Sequence, residues 1–148
     1  MSTTRENVDL SELAKFDALA ARWWDPEGDF KSLHDINPLR LDWIRQRVKL
    51  PGIKAVDIGC GGGILAESLA TAGATVTAID MADGPLAVAR LHQQESGADV
   101  DYRRTTAETL APEEAGTYDL VVYAGQQGRD QGEQQDCNQS EVTAWHRT

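Results

Sequence analysis

Long apolar runs are missing from this 148-residue chain, and no stretch approaches the ~20 residues that a membrane-spanning helix requires. The opening residues, MSTTRENVD, lack the basic end and apolar centre of a secretory signal, so the expected address is the cytoplasm. Cysteine is scarce. Only Cys60 and Cys137 occur, and Cys60 stands among glycines; a disulfide framework and a four-ligand zinc site are therefore unsupported, and reduced thiols are expected. Positive charge is in deficit, with 14 Lys and Arg against 24 Asp and Glu, and the net charge of −10 repels phosphate backbones. Small-molecule chemistry is favoured over nucleic acid as the main business of the chain. Aromatic residues make up 6% of it and hydrophobic residues 41%, enough for one domain with a modest core.

What is present is an ordered alternation. Asp9 followed by Glu12 reads as a variant capping box, and Leu10, Leu13, Phe16, Ala20 and Trp23 recur at helical spacing over about 13 residues. Asp25-Pro26-Glu27-Gly28 supplies turn chemistry that ends this helix. Asn37-Pro38 predicts a second helix start, with Leu39, Trp43 and Val48 on one face and Leu50-Pro51-Gly52 as the stop. Strands are then predicted at 55–58, 75–79, 100–103 and 118–123, with helices at about 62–72 and 84–95, the latter closed by Gly97. Strands alternating with helices of that length predict an α/β fold with a parallel sheet and right-handed crossovers. The division expected is an N-terminal helical cap over 1–50, a cofactor-binding core over 51–123, and a tail over 124–148. That tail holds six glutamines, almost no aliphatic residues and no period, so it is expected to be disordered and unable to pack against a sheet. A segment so foreign to what precedes it reads as a truncated, frame-shifted or engineered end; a natural polar extension is the alternative.

The most informative stretch is VDIGCGGGILAESLATAGATVTAID, Val56 to Asp80. A strand, then glycines, then a helix brings backbone N–H groups close to a polar ligand, because side chains there would block the approach. A dinucleotide site asks for G-x-G-x-x-G and an acid about 20 residues on. Asp80 suits that role for either a dinucleotide or S-adenosylmethionine. The start separates them: Asp57 lies two positions before Gly59, giving D-x-G-x-G-x-G through Gly61 and Gly63. A carboxylate at the mouth of the first strand favours a cofactor bearing an ammonium, and beside a pyrophosphate it would cost about 4 kcal/mol at 4 Å and ε of 20. S-adenosylmethionine has the ammonium and no phosphate. The glycines alone could equally make a tight turn, but that leaves Asp57 unexplained.

This motif resembles motif I of the class I S-adenosylmethionine-dependent methyltransferases, with Asp80 in the ribose-binding position. Together with KFDALAARWWDPEGDFKSLHDINPLRLDWI and ARLHQQESGADVDY, it is similar to the ubiquinone-biosynthesis O-methyltransferases, in matching order over about residues 7–123. The resemblance implies a Rossmann-like class I methyltransferase fold, here incomplete, with about four parallel strands, flanking helices and an N-terminal helical segment. It implies an S-adenosyl-L-methionine-dependent transferase that methylates hydroxyls of prenylated phenol or catechol intermediates. It also implies contact with a membrane surface through greasy substrates, a location peripheral to the membrane, and partners in a ubiquinone-biosynthesis complex. Cofactor contacts implied are Arg40, Asp57, Gly59, Gly61, Asp80 and Met81, with Arg40 meeting the methionine carboxylate and Met81 packing on the adenine. Without the resemblance, Arg40 reads as an exposed helix residue and Met81 as core filling. Ala107 and Glu108 fall where such enzymes hold the adenine edge, although Glu108 equally suits a solvated helix start. Trp23 and Trp24 are candidates to cover the cofactor or substrate, with at least one of them ordinary packing. His34 and His92 have no carboxylate or cysteine at ligand spacing and read as structural. No metal ligands are expected.

The chain departs from the family after the fourth strand. A Met-Glu-x-x-Glu-His type segment is replaced by Ala124-Gly125-Gln126-Gln127, so no catalytic base is assigned. The expectation is an O-methyltransferase whose 148-residue form is impaired or inactive and whose last strand is an unprotected edge. A noncatalytic cofactor-binding remnant and a fragment of an NAD(P)-linked Rossmann oxidoreductase are the alternatives.

Overall fold

The computed structural model describes residues 14–15, 17–114, 116–123 and 143–146. Helical backbone runs over 17–23 (α1) and gives way to turns over 24–30, where Asp25 Oδ1 accepts the Glu27 N–H at 3.0 Å. The Asp25-Pro26-Glu27-Gly28 stop is thus as predicted; the capping box at Asp9 and Glu12 lies outside the described residues.

Helix α2, Lys31–Arg45, corrects the second helix start. Pro38 lies inside it rather than at its first position, and the residue before the helix is Phe30, which makes no side-chain cap. Asn37 is not a cap because its amide is used elsewhere, donating to Ser68 Oγ at 2.8 Å. Its buried residue is Ile44, while Leu39 is 67% exposed, so the predicted face is displaced; Trp43 and Val48 pack at the edge of the core.

The predicted alternation is present as β1 Lys54–Ile58, α3 Ile64–Thr71, β2 Thr75–Asp80, α4 Asp83–Ser96 and β3 Val100–Arg104, followed by a helix the sequence does not predict, α5 Ala107–Glu114, and then β4 Leu120–Tyr123. Gly97 adopts φ +74 and closes α4, the left-handed position for which glycine carries no Cβ penalty. Helix α5 begins where Thr106 Oγ1 accepts the Thr109 N–H at 3.1 Å, an N-cap contact that satisfies one of the helix's orphan donors. Strand order is β3-β2-β1-β4-β5. The first four strands are parallel, with Asp57 of β1 between Ala78 of β2 and Val122 of β4.

Because side chains alternate across a strand, two layers form. Ala55, Val76, Ala78, Val100, Tyr102, Leu120 and Val122 join Leu65, Leu69, Leu86 and Ala89 of α3 and α4 in the larger cluster. Val56, Ile79 and Leu110 make a smaller one beneath α5. Chain order reverses between β1 and β4, and in open parallel sheets the crevice at the carboxyl ends of strands beside such a reversal is where ligands bind.

Residues 143–146 form β5 and pair antiparallel with β4, from Leu120 opposite His146 to Tyr123 opposite Thr143. This corrects the expectation that nothing in the tail pairs with the sheet and that β4 is left as an edge. Thr143-Ala144-Trp145-His146 is the one stretch of the tail with strand-forming residues, and backbone pairing requires no apolar face. Residues 124–142, including Ala124 and Cys137, lie outside the described residues.

Candidate functional site

At the carboxyl end of β1 the chain turns sharply through Gly59, Gly61 and Gly63, with φ of +76, +55 and +88. Gly59 and Cys60 both donate to the Ile79 carbonyl, at 2.8 and 3.0 Å, which ties the turn to β2. Asp80, the last residue of β2, closes it from the other side: Oδ2 accepts the Gly61 N–H and Oδ1 the Ala82 N–H, each at 2.9 Å. Glycine turn and distal acid, 19 residues apart in sequence, are one hydrogen-bonded unit.

Asp57 sits on β1 just below this turn, 1% exposed. Burial pushes its carboxyl up to about 7, with the Arg40 guanidinium acting to lower it and Asp80 to raise it. Arg40 comes from α2. Burial lowers its pKa and Asp57 raises it, so each senses the other's charge. No hydrogen bond or ion pair joins them: Asp57 Oδ1 and Arg40 Nε are both buried without a partner. A buried carboxylate oxygen and a buried guanidinium nitrogen, each unsatisfied and each within reach of the other's charge, are costly unless a ligand completes them. Arg40 is therefore not the exposed helix residue that sequence alone favoured.

Around this pair, Met81 follows Asp80 and is 53% exposed, so it is not core filling. Ala107 is half-buried at the start of α5, and Glu108 is exposed there, as the solvated helix-start reading has it. Cys60 is an inert thiol: burial, then Asp57 and Asp80, raise its pKa. Both tryptophans reach the glycine turn. A Cβ on Gly62 would lie 2.3 Å from Trp23 Nε1, and the Trp24 Nε1–H donates to the Gly62 carbonyl at 3.1 Å. Gly62, the glycine of the run that lies outside the D-x-G-x-G-x-G spacing, thus makes room for an indole. His92, isolated in sequence, is not isolated in space; its Nδ1 meets Glu67 Oε2 at 2.6 Å. The signal available in the sequence was Glu67 itself, an acid in the otherwise apolar face of ILAESLAT. Among the described residues no group of three or more His, Cys, Asp or Glu is arranged to hold a metal ion, and no helix is long and apolar enough to cross a membrane.

Residues 56–125 match the family model described as Methyltransferase domain. The chain is 63% identical over 116 residues to the ubiquinone biosynthesis O-methyltransferase of Azotobacter vinelandii, covering 78% of this chain and 50% of that protein. It is 62% identical over 119 residues to the protein of the same name from Marinobacter nauticus, with 79% and 50% covered. The chain thus spans about half the length of the curated relatives it matches. Magnesium protoporphyrin IX methyltransferase from Synechocystis, solved with S-adenosylmethionine bound, superposes with a TM-score of 0.58 at 24% identity, over 74% of this chain and 55% of that one. The sheet and its flanking helices are the α/β, Rossmann-like methyltransferase fold.

Proposed function

We infer, for a chain that belongs over its matched residues to the ubiquinone biosynthesis O-methyltransferase family, that the cleft above β1 and β2 binds S-adenosyl-L-methionine. The reaction it serves is transfer of a methyl group to a hydroxyl of a prenylated phenol or catechol intermediate. One observation carries the cofactor assignment: a buried carboxylate oxygen of Asp57 and a buried guanidinium nitrogen of Arg40, both without a partner and each sensing the other's charge, are the complement of an amino-acid zwitterion. Asp57 takes the ammonium. Arg40 takes the carboxylate through its planar donor fork. Gly59 and Gly61 hold the turn beside the cofactor in its left-handed conformation, Asp80 faces the ribose hydroxyls with the lone pairs its two backbone contacts leave free, and Met81 offers a polarisable surface to the adenine.

When bound, the cofactor supplies an electrophilic methyl carbon on a sulfonium. The residues of this chain fix and orient it, which is the larger part of an in-line displacement; removal of the hydroxyl proton needs a base. In the resemblance that base and a cofactor-contacting Met lie after β4, and here the corresponding position is Ala124. Cofactor binding is therefore proposed for this chain, with turnover weak or absent. A greasy prenylated substrate supports contact with a membrane surface and with other proteins of the pathway. The NAD(P) reading is disfavoured by Asp57, since a pyrophosphate would bring like charge to a buried acid.

Methyl transfer from labelled cofactor to a catechol acceptor tests the reaction. The cofactor assignment also has a pH signature. A cation binds only the ionised Asp57, whose pKa in the free protein is raised to about 7. S-adenosylhomocysteine affinity is accordingly expected to level off above about pH 7 and to fall by roughly tenfold per unit below it, with one proton released on binding near pH 6. Calorimetry in buffers of different ionisation enthalpy measures that proton. Affinity unchanged between pH 5.5 and 8 would remove Asp57 from the ammonium site.

A further inference from the structure

Trp24 is a crossing point of three elements. Its indole lies flat on the His92 imidazole of α4, with centroids 3.4 Å apart and planes within 2°. Its edge meets the His34 ring of α2 at 5.8 Å and 65°. Its Nε1–H reaches the Gly62 carbonyl of the glycine turn. His92 is itself fixed, because the partner of its Nδ1 is the Glu67 carboxylate of α3, whose side chain is 7% exposed. The neighbouring Trp23 is fixed by the same assembly: its carbonyl contacts His34 Nε2 at 2.9 Å, and its ring stacks on Phe30 at 4.2 Å. The Trp23 indole then lies over the turn, where a Cβ on Gly61 would come within 3.3 Å of it. Its Nε1 is buried with no partner, as are Asn37 Oδ1, Arg40 Nε, Asp57 Oδ1 and the Tyr102 hydroxyl.

Burying Glu67 among apolar residues is unfavourable unless the acid is hydrogen-bonded, and His92 Nδ1 supplies that contact. The Trp24 contacts with His92 and the Gly62 carbonyl join the N-terminal segment to α4 and the glycine turn. Accordingly, we propose that His92, fixed by Glu67 and stacked on Trp24, is a positioning residue for the cofactor cleft: it seats Trp24 on the Gly62 carbonyl and Trp23 over Gly61 and Gly62, so that cofactor affinity depends on it. This rests on the S-adenosylmethionine reading above. Stacking fixes the plane of the indole, and the Trp24 Nε1–H bond to the Gly62 carbonyl fixes its orientation within that plane.

The test is S-adenosylhomocysteine titration by calorimetry, with tryptophan emission and thermal melts recorded on the same samples. His92→Ala is expected to weaken binding about tenfold and red-shift the emission as Trp24 loses its cover, while His92→Phe, which keeps a stacked ring without the Glu67 pair, stays within about threefold of the original protein. Should His92→Ala not fold, Trp24→Phe decides: it keeps a ring on His92, loses the bond to Gly62, and is expected to weaken binding at least threefold. Equal affinity in the original protein and a folded His92→Ala variant, or in Trp24→Phe when His92→Ala does not fold, overturns the proposal while leaving the cofactor reading intact. No binding by the original protein overturns the cofactor reading, and the proposal falls with it.

Discussion

Replacing Asp57 with asparagine is expected to stabilise the ligand-free protein at pH 8 while reducing S-adenosylhomocysteine affinity at least ~100-fold, since removing one partner of a buried charge pair costs about 3–5 kcal/mol. The two effects share a cause. In the folded protein burial, chiefly, raises the acid from the ordinary carboxylate range to about 7. A carboxyl with a raised folded pKa contributes stability that is complete below the unfolded value and lost as pH rises through the folded one. At pH 8 the ionised side chain is therefore a liability of a few kcal/mol, at about 1.4 kcal/mol per unit. Asparagine removes that liability, offset by about 1–3 kcal/mol for an amide left without partners beside Arg40. A rise in melting temperature of roughly 3–6 °C at pH 8 is the expected balance. At pH 5 the acid is protonated in the folded state, and the advantage disappears. Melts at the two pH values check the sign; an equal shift at both would mean that ionisation of Asp57 is not what the folded state resists. Under the proposed function, the cationic ligand repays that cost in stability on binding.

The largest loss of stability is expected from Gly63→Ala. Gly63 caps α3 with φ +88, a left-handed conformation that costs an L-residue about 1–2 kcal/mol. The added Cβ would also sit 2.3 Å from the Tyr102 hydroxyl oxygen and 3.2 Å from the Ala89 Cβ. Tyr102 is 7% exposed and belongs to the main core, so it has no free direction in which to retreat. A total loss of about 3–5 kcal/mol, much of the stability of a domain this size, is expected in urea unfolding. Tyr102→Phe separates the two causes. The Tyr102 hydroxyl is buried without a hydrogen-bond partner, so removing it is expected to stabilise the protein by about 1 kcal/mol. In the double variant the steric part of the Gly63→Ala loss is relieved and the backbone part persists. A Gly63→Ala loss below about 1 kcal/mol would contradict this account of why the third glycine of the motif is a glycine.

The parts of the fold legible in the sequence are those whose local chemistry has one solution. The β1–α3–β2–α4–β3 run was readable because buried strands, glycine turns and the Gly97 stop each leave a local mark. The start of α2 was misread because Asn37-Pro38 has the form of a cap, and only the contact with Ser68, 31 residues away, shows the amide otherwise engaged. Helix α5 is short and carries Pro112, so its period is faint; its start at Thr106 is visible only in the cap geometry. Strand β5 depends on backbone pairing with β4, which composition does not report. Within the candidate site, Asp57, Asp80 and the glycines follow from spacing, whereas Arg40 comes from the resemblance alone because Asp57, whose charge it senses, lies on another element. His92 was hardest to foresee, since Glu67 and Trp24 come from α3 and the turn after α1. Long-range partners of polar side chains are where a single sequence is least informative.

The central claim is that the buried acid of β1 receives a cationic amino group. A crystal structure with S-adenosylhomocysteine bound tests it most directly: the ligand's amino nitrogen should lie within hydrogen-bonding distance of Asp57, with its carboxylate against Arg40. A ligand seated with its amino group away from Asp57, or a dinucleotide whose pyrophosphate occupies that place, would contradict it.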